Sequence, residues 1–577
     1  MLDDFLVHLF HQGECLEAYK LFGAHEVEEN GQKGVRFNVY APNAKYIFLI
    51  GEFNEWNESS HPMTKVSNGG IWSLFVPGVK QKQCYKYLIY GPVGQKLYKA
   101  DPYAFYSELR PSTASRVYRL DHFRWSDKRW LKKQDKHYQK PLNIYEMHFG
   151  SWKMKKDFTD QEDGEYFNYE EMIDQIIPYV KEMGYTHIEL MPLSEHPFDG
   201  SWGYQSTGYF SATSRYGEPK QLMKFINECH KNDIGVIMDF VPVHFVHDAH
   251  GLSQFDGGCV YEYPDDYRRY SEWGSSYFDL GRDEVRSFMM SAINFWIEVY
   301  HVDGIRFDAI SHLIFWKGNK EAGTNDGAID FMKRMTYKIN ERHPNVLLIA
   351  EDSSDYPKVT RSSVEGGLGF DYKWDLGWMN DTLRYYAMDP IYRKYHHNDL
   401  TFSMAYFYSE RFLLPFSHDE VVHSKKTIVD KMWGTYEDKF KQCRNLYVYM
   451  YTHPGKKLNF MGNDIATIRE FDENKELDWF LLDYPLHNGF KLLVKELSHM
   501  YSEYDTFSKY DYDPTYFKWI DADNAEQSVY IYYRYDEDYC FITLLNNTPN
   551  SYTNYQIGVP YAGTYTEVIN SEAEKYG

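Results

Sequence analysis

The chain has few cysteines for its length. There are 6 in 577 residues (Cys15, Cys84, Cys229, Cys259, Cys443 and Cys540), none in a CxxC pair or at metal-ligand spacing. That usage argues against a disulfide-stapled scaffold and reads as reduced thiols in a cytosol. The opening Met1-Leu2-Asp3-Asp4 is acidic and lacks the basic start of a secretory signal. No apolar run approaches membrane-spanning length. Positive charge is in deficit: the formal net charge is -22, which makes nucleic acid and anionic membrane poor partners. No GxGxxG or GKS/T follows a strand pattern, which weakens a nucleotide-binding reading. No HExxH or Cys/His cluster suggests a metal, and no GxSxG suggests a serine nucleophile. The sequence therefore leads us to expect neither metal nor cofactor.

Aromatic residues are what the chain has in abundance: 18% of it, with 54 tyrosines and 14 tryptophans. Such rings fill cores and also stack on flat polar ligands such as sugars. Residues 1 to about 25 read as a short amphipathic helix and a connector. From Val35 the apolar period is two, as in Val35, Phe37 and Val39. Residues 45–50, 70–76 and 84–89 continue as short strands, which predicts a small β-sandwich to about residue 120. Trp56 and Trp72 read either as core or as sugar platforms, with core the default expectation for each. The polar, lysine-rich stretch 126–140 reads as a loop and a domain boundary.

From Asn143 the texture changes to strands alternating with helices. Strand patterns occupy 144–149, 187–191, 235–240, 304–310 and 346–351, with weaker ones at 370–374, 412–416 and 458–461. Helical patterns occupy 169–183, 219–232, 284–300 and 328–342. Pro178 sits inside the first, where it can kink or break the helix. In 284–300 the stripe of Val285, Phe288, Met289, Ala292, Trp296 and Val299 is core. This alternation predicts a parallel (β/α)8 TIM barrel over 126–500, with an open doubly wound sheet as the alternative. After residue 500 the period returns to two, at 528–533 and 539–545. The expected layout is an N-terminal helix and sandwich (1–125), the barrel (126–500) and a small C-terminal β-domain (501–577).

Charge collects where the barrel strands end. Asp239 ends the third, with His244 just beyond; Arg306 and Asp308 end the fourth; Glu351 ends the fifth; His418-Asp419-Glu420 follows the strand at 412. In a parallel barrel these ends converge on one mouth. A lone carboxylate there is usually a cap. Several carboxylates, an arginine and two histidines at four strand ends exceed what capping needs. Arg306 and Asp308, two apart on a strand, share a face, and the arginine keeps the carboxylate ionised. A nucleophile and a proton donor, both carboxyl groups, suit glycoside chemistry.

The stretches Asp239 to His244, Gly304 to Asp308, Ala350-Glu351-Asp352 and Phe416 to Asp419 resemble, in order, the four signature regions of the α-amylase superfamily. Within it the chain resembles the 1,4-α-glucan branching enzymes. Residues 200–209, 214–217, 418–423 and 477–479 carry that closer likeness. The likeness covers nearly the whole chain, and 1–125 resembles the family's carbohydrate-binding-like module. It implies that Asp308 is the nucleophile, Glu351 the acid and base, and Asp419 a stabiliser of the distorted sugar. It further implies that His244 and His418 bind hydroxyls, Arg306 orients Asp308, Asp239 supports the site and Tyr204 stacks under the sugar. A retaining pair of this kind has carboxyl groups about 5–5.5 Å apart. The implied partner is α-1,4-glucan, as glycogen or amylose. Two rivals are an α-glucan hydrolase or debranching enzyme, and a glucan-binding protein with a dead barrel. Two departures from the family pattern stand out: Ser424 where relatives carry glycine, and Asp464 where they carry glutamate. Both are expected near the site, where they bear on rate or acceptor preference. The C-terminal domain looks short, as in a truncated version of a longer chain.

Overall fold

The computed structural model describes residues 2–159 and 162–577, so Met1 of the N-terminal segment lies outside the described residues. Eight parallel strands close into a barrel, which excludes the open sheet. They are β1 (Asn143–Met147), β2 (His187–Leu190), β3 (Gly235–Phe240), β4 (Gly304–Phe307), β5 (Leu347–Ala350), β6 (Tyr372–Trp374), β7 (Phe412–Phe416) and β8 (Lys456–Phe460). Each strand pairs in register with its neighbour, and β8 returns to β1. Alternation sorts the side chains. Ile144, Ile237, Leu347, Ile349, Trp374, Leu413 and Leu458 fill the lumen. Their neighbours Tyr145, Val236, Met238, Ile305, Leu348 and Leu414 face the helices. On β1 to β4 the inward set carries Glu146, Glu189, Asp239 and Arg306, which places a polar layer on an apolar plug.

The helices follow their sequence signals. Ile173–Met183 stays one helix through Pro178 and stops at Gly184, whose φ of 78° closes it without a Cβ clash. Its first turn starts later than the pattern at Tyr169 suggested. Pro219–Lys231 opens with proline at the first turn, where no N–H is needed. Three long helices, Leu376–Ala387, Tyr436–Thr452 and Pro485–Glu503, were not read from the sequence. Their aromatic and charged residues lack a clean apolar stripe.

The N-terminal domain consists of two antiparallel sheets. Phe37 of one meets Tyr85 of the other with ring centres 4.9 Å apart. One strand, Gly23–Glu29, begins at the end of the expected connector and runs through residues left unassigned; its Ala-His-Glu-Val-Glu-Glu run is half solvated and pairs with 32–38. Trp72 is core at 6% exposure, and its indole N–H donates to Ala41 O at 3.0 Å. Trp56 is not core: it stands 39% exposed on a turn with φ 58°. The N-terminal helix Asp4–His11 and the chain after it seat on barrel helix Asp283–Tyr300. There Ser287, Ser291 and Asn294 hydrogen-bond backbone of residues 10–18. A three-stranded antiparallel sheet at 517–546 follows the barrel; its first strand, Phe517–Asp521, was not read from the sequence. No helix among the described residues is long and apolar enough to cross a membrane.

The lysine-rich stretch 126–140 forms a short helix, Lys128–Leu131, and is pinned beneath the barrel. His230 bridges Asp127 at 3.0 Å and Asp303 at 2.9 Å. Asp303 also accepts from Trp130 Nε1 at 2.7 Å and from Val236 N at 2.7 Å. Burial alone would lower the His230 pKa, but the two aspartates outweigh it and push it up to about 9. A raised folded-state value stabilises fully below about pH 6.5, and that contribution is lost as pH climbs through 9. The full effect is at most about 3 kcal/mol. We therefore expect wild type to lose more unfolding free energy between pH 6.5 and 9.5 than His230→Gln does, measured by urea melts. Equal losses would exclude the clamp as the source.

Candidate active site

Asp239 and Arg306 are register partners on adjacent strands and both point into the lumen. Arg306 is wholly buried. Its Nη1 donates to Asp239 Oδ1 and Oδ2 at 2.8 and 2.9 Å and to Asp308 Oδ1 at 2.8 Å. Its Nη2 lies 3.7 Å from Glu351 Oε2, and its plane lies over Trp374, 4.3 Å from the ring centre. One cation therefore faces three carboxylates.

Asp308 and Glu351 sit one residue past β4 and β5, and the backbone holds them together there. Asp308 N bonds Phe240 O, Glu351 N bonds Phe307 O, and Ile310 N bonds Glu351 O, each at 3.0 Å. Ala309 N–H donates to Glu351 Oε2 at 2.6 Å. Ala309 takes φ 47°, a left-handed conformation that costs an L-residue about 1–2 kcal/mol. The strain aims that N–H at the carboxylate.

The far wall comes from β1, β7 and the 199–204 loop. His418 Nδ1 donates to Glu146 Oε1 at 2.5 Å and His418 N donates to Glu146 Oε2 at 3.0 Å. His418 Nε2 lies 3.4 Å from Asp419 Oδ1. Tyr204 stacks on the His418 ring at 5.4 Å and donates its hydroxyl to Asp239. His244 is held by Ser275 Oγ at 2.7 Å and lies 4.9 Å from the Trp273 ring. Seven of the eight residues singled out from the sequence are thus linked in one mouth; His244 lies beyond the end of β3 and makes its contacts with Ser275 and Trp273. They differ in reach: the Asp419 side chain is 55% exposed, Asp308 17% and Glu351 16%, while Asp239 and Arg306 are sealed.

The environments separate their charges. Burial, offset in part by Arg306 and reinforced by Asp308, pushes Glu351 up to about 7. Burial also raises Asp308, with Arg306 pulling it back. The His418 charge holds Asp419 below the usual carboxylate range. His418 itself is pushed up to about 9: burial opposes, and Asp419 and Glu146 prevail. Carboxyl groups held at different protonation near pH 7 can act as proton donor and as anion.

The sequence reading missed Glu146, Glu189 and Trp374. The available signal was a carboxylate in the inward register of an apolar barrel strand. Asp464 was expected near the mouth, but it is buried in the helix layer, accepting from Tyr179 at 2.8 Å and Tyr185 at 3.3 Å. Ser424 takes φ 64°, where glycine costs nothing; its N–H donates to Glu470 at 2.9 Å. Among the described residues no group of three His, Cys, Asp or Glu is placed to hold a metal.

The barrel, the sandwich before it and the carboxylates at one mouth define a carbohydrate-active enzyme of the α-amylase class. Family models agree: carbohydrate-binding module 48 (isoamylase N-terminal domain) matches 21–104, the α-amylase catalytic domain 155–276, and the α-amylase C-terminal all-beta domain 519–577. Pullulanases share the fold. That of Paenibacillus barengoltzii bound to maltotetraose aligns with TM-score 0.71 at 16% identity, covering 92% of this chain and 88% of the other. That of Bacillus acidopullulyticus aligns at 0.66 and 17%, covering 89% and 66%. The 1,4-alpha-glucan branching enzyme GlgB of Geobacillus stearothermophilus is 49% identical, across 100% of this chain and 90% of its own length. The GlgB of Bacillus subtilis (strain 168) is 46% identical, across 99% and 91%. The chain belongs to the 1,4-α-glucan branching enzyme family.

The N-terminal domain reaches the mouth directly. Arg110 donates to Asp199 Oδ2 from Nε at 2.8 Å and from Nη2 at 2.6 Å, while Arg215 Nε takes Oδ1 at 2.6 Å. Asp199 begins the turn that carries Trp202 and Tyr204. Losing a charge-assisted pair of this kind should speed amide exchange in 199–204 about tenfold in Arg110→Ala. Exchange mass spectrometry reads this; unchanged rates there would mean Arg215 alone holds the turn.

Proposed function

We propose that this chain cleaves α-1,4-glucan and moves the cut segment to a 6-hydroxyl, making the α-1,6 branches of glycogen. The observation that carries the reading is the carboxyl pair Asp308 and Glu351, on consecutive strands around one buried guanidinium, with Asp419 opposite. Asp308 attacks the anomeric carbon while Glu351 gives its proton to the leaving 4-oxygen, so the C1–O4 bond breaks as a C1–carboxylate bond forms. The acceptor 6-hydroxyl then displaces Asp308 and returns its proton to Glu351. Asp419, His418 and His244 bind hydroxyls of the sugar at the cleavage point, and Tyr204 stacks beneath it. Arg306 and Asp239, spent on one another, set the position of Asp308. The names of the relatives favour branching over hydrolysis. A cytosolic site of action accords with six unpaired cysteines.

Incubation with linear amylose should lower iodine staining at nearly constant reducing ends. A debranching enzyme should then release new short chains from the product. Rising reducing ends without branches would make the protein a hydrolase. Asp308→Ala and Glu351→Gln should each lower branching by at least about a thousandfold with circular dichroism unchanged. Near-normal turnover in either would overturn its role.

Glu351 must carry a proton to start the reaction. Its value near 7 therefore sets the alkaline limb: kcat/KM should fall as pH rises through about 7. A profile flat to pH 9 would mean another group donates.

A further inference from the structure

We infer that Glu146 is a positioning residue that fixes His418 as a charged double donor beneath Asp419. This deepens, and rests on, the branching reading of the same mouth. Glu146 lies wholly buried in the inward register of β1 and spends both oxygens on one residue, taking the His418 amide N–H at 3.0 Å and the Nδ1–H at 2.5 Å. With Nδ1–H committed, the ring's other nitrogen lies 3.4 Å from Asp419 Oδ1 as an ion-pair contact. A neutral imidazole carries one N–H and would leave Nε2 an acceptor facing a carboxylate. The imidazolium puts a positive N–H beside that carboxylate instead, so the ion-pair contact favours it.

The surroundings are consistent with one positive charge there. The titratable groups facing His418 are Glu146 on β1, Glu189 on β2, Asp419 beside it, and Arg306 and Asp308 at the end of β4, with His148 behind and Tyr204 stacked on the ring. Glu189 is the register partner of Glu146, and neither of its buried oxygens has a hydrogen-bond partner. Burial, with Glu146 and Asp239 adding to it, raises Glu189 far above the carboxylate range. Of the two carboxyl groups, only Glu146 is hydrogen-bonded to His418. His148 is buried and held down to about 3, so it stays neutral. His418 is left as the positive partner of Asp419.

Glu146→Gln removes that charge and offers one good acceptor where two are used. A His418 returned to the ordinary value of about 6.5 would be about 3% protonated at pH 8 and about 90% at pH 5.5. The ratio of variant to wild-type kcat should then drop about thirtyfold between pH 5.5 and 8. A purely structural Glu146 predicts a ratio independent of pH, and that result would overturn the inference. The double variant Glu146→Gln/His418→Asn should be no slower than His418→Asn; multiplied losses would also overturn it. Should Glu146→Gln fail to fold, wild type suffices. Nitrogen-15 histidine spectra, with His418 assigned by its absence in His418→Asn, should show an imidazolium through pH 8. Titration near 6.5 would end the proposal. These outcomes separate from the parent reading: amylose branching by wild type tests the function, and the His418 spectrum tests Glu146 whatever the reaction.

Discussion

The site depends on one buried cation. Arg306 sits in the lumen with no exposed surface, and three carboxylates converge on it from β3, β4 and β5. Burying a charge without partners is prohibitive, and removing one partner of a buried pair typically costs about 3–5 kcal/mol. Arg306 is held by both Asp239 oxygens on its Nη1, and Trp374 covers its face. Asp239 and Arg306 therefore hold each other in place, and Asp308 and Glu351 inherit their positions from that lock. It also explains why Glu351 and Asp308 differ. Asp308 takes a direct 2.8 Å bond from Nη1, while Glu351 stands 3.7 Å from Nη2 and receives only a backbone N–H. The direct bond favours the anion at Asp308 against its burial, while burial, with Asp308 adding to it, raises Glu351.

The same alternation that fills the barrel builds this layer. Inward positions carry apolar side chains up to Ile144, Ile237 and Ile349, and two residues along β1 and β3 they carry Glu146 and Asp239. The apolar plug below keeps water from the guanidinium. The loops above are tied to one another: Trp202 donates to Glu473 at 2.9 Å and stacks on His423 at 5.4 Å, and Asp199 is gripped from the N-terminal domain. The preceding domain is thus part of how the mouth is held.

Much of this was legible in the sequence, and the reasons differ by element. The barrel strands are apolar runs bounded by turns and ending on charge, so their order and the mouth residues could be read together. Asp308 and Glu351 fall one residue beyond the ends of β4 and β5, a distinction that alternation alone does not make. Gly23–Glu29 was hidden because an edge strand facing solvent has charged residues on one side and weak ones on the other. Trp56 was misread because size predicts burial only on average, and its turn carries it outward. Asp464 was misplaced because a residue just past β8 can face the lumen or the helix layer, and two tyrosine hydroxyls decide for the latter.

The residues invisible to motif reading are those whose work is done through another side chain. Glu146 reads as one polar letter in a buried strand, and a buried glutamate is usually a cost. Its meaning depends on which residue the barrel closure brings across from β7, and closure joins β1 to β8 and β8 to β7 over more than 250 residues of intervening chain. Only then do Glu146, His418 and Asp419 line up with alternating sign. That alignment runs opposite to the Arg306 arrangement, in which one cation serves three anions. On the β4–β5 side the cation is fixed and the carboxylates differ in protonation; on the β1–β7 side a titratable cation is kept charged by a fixed carboxylate. In the proposed reaction, a sugar ring between them meets a proton donor and nucleophile on one side and charge-assisted hydroxyl binding on the other. This is the division that differential binding of an oxocarbenium-like transition state requires.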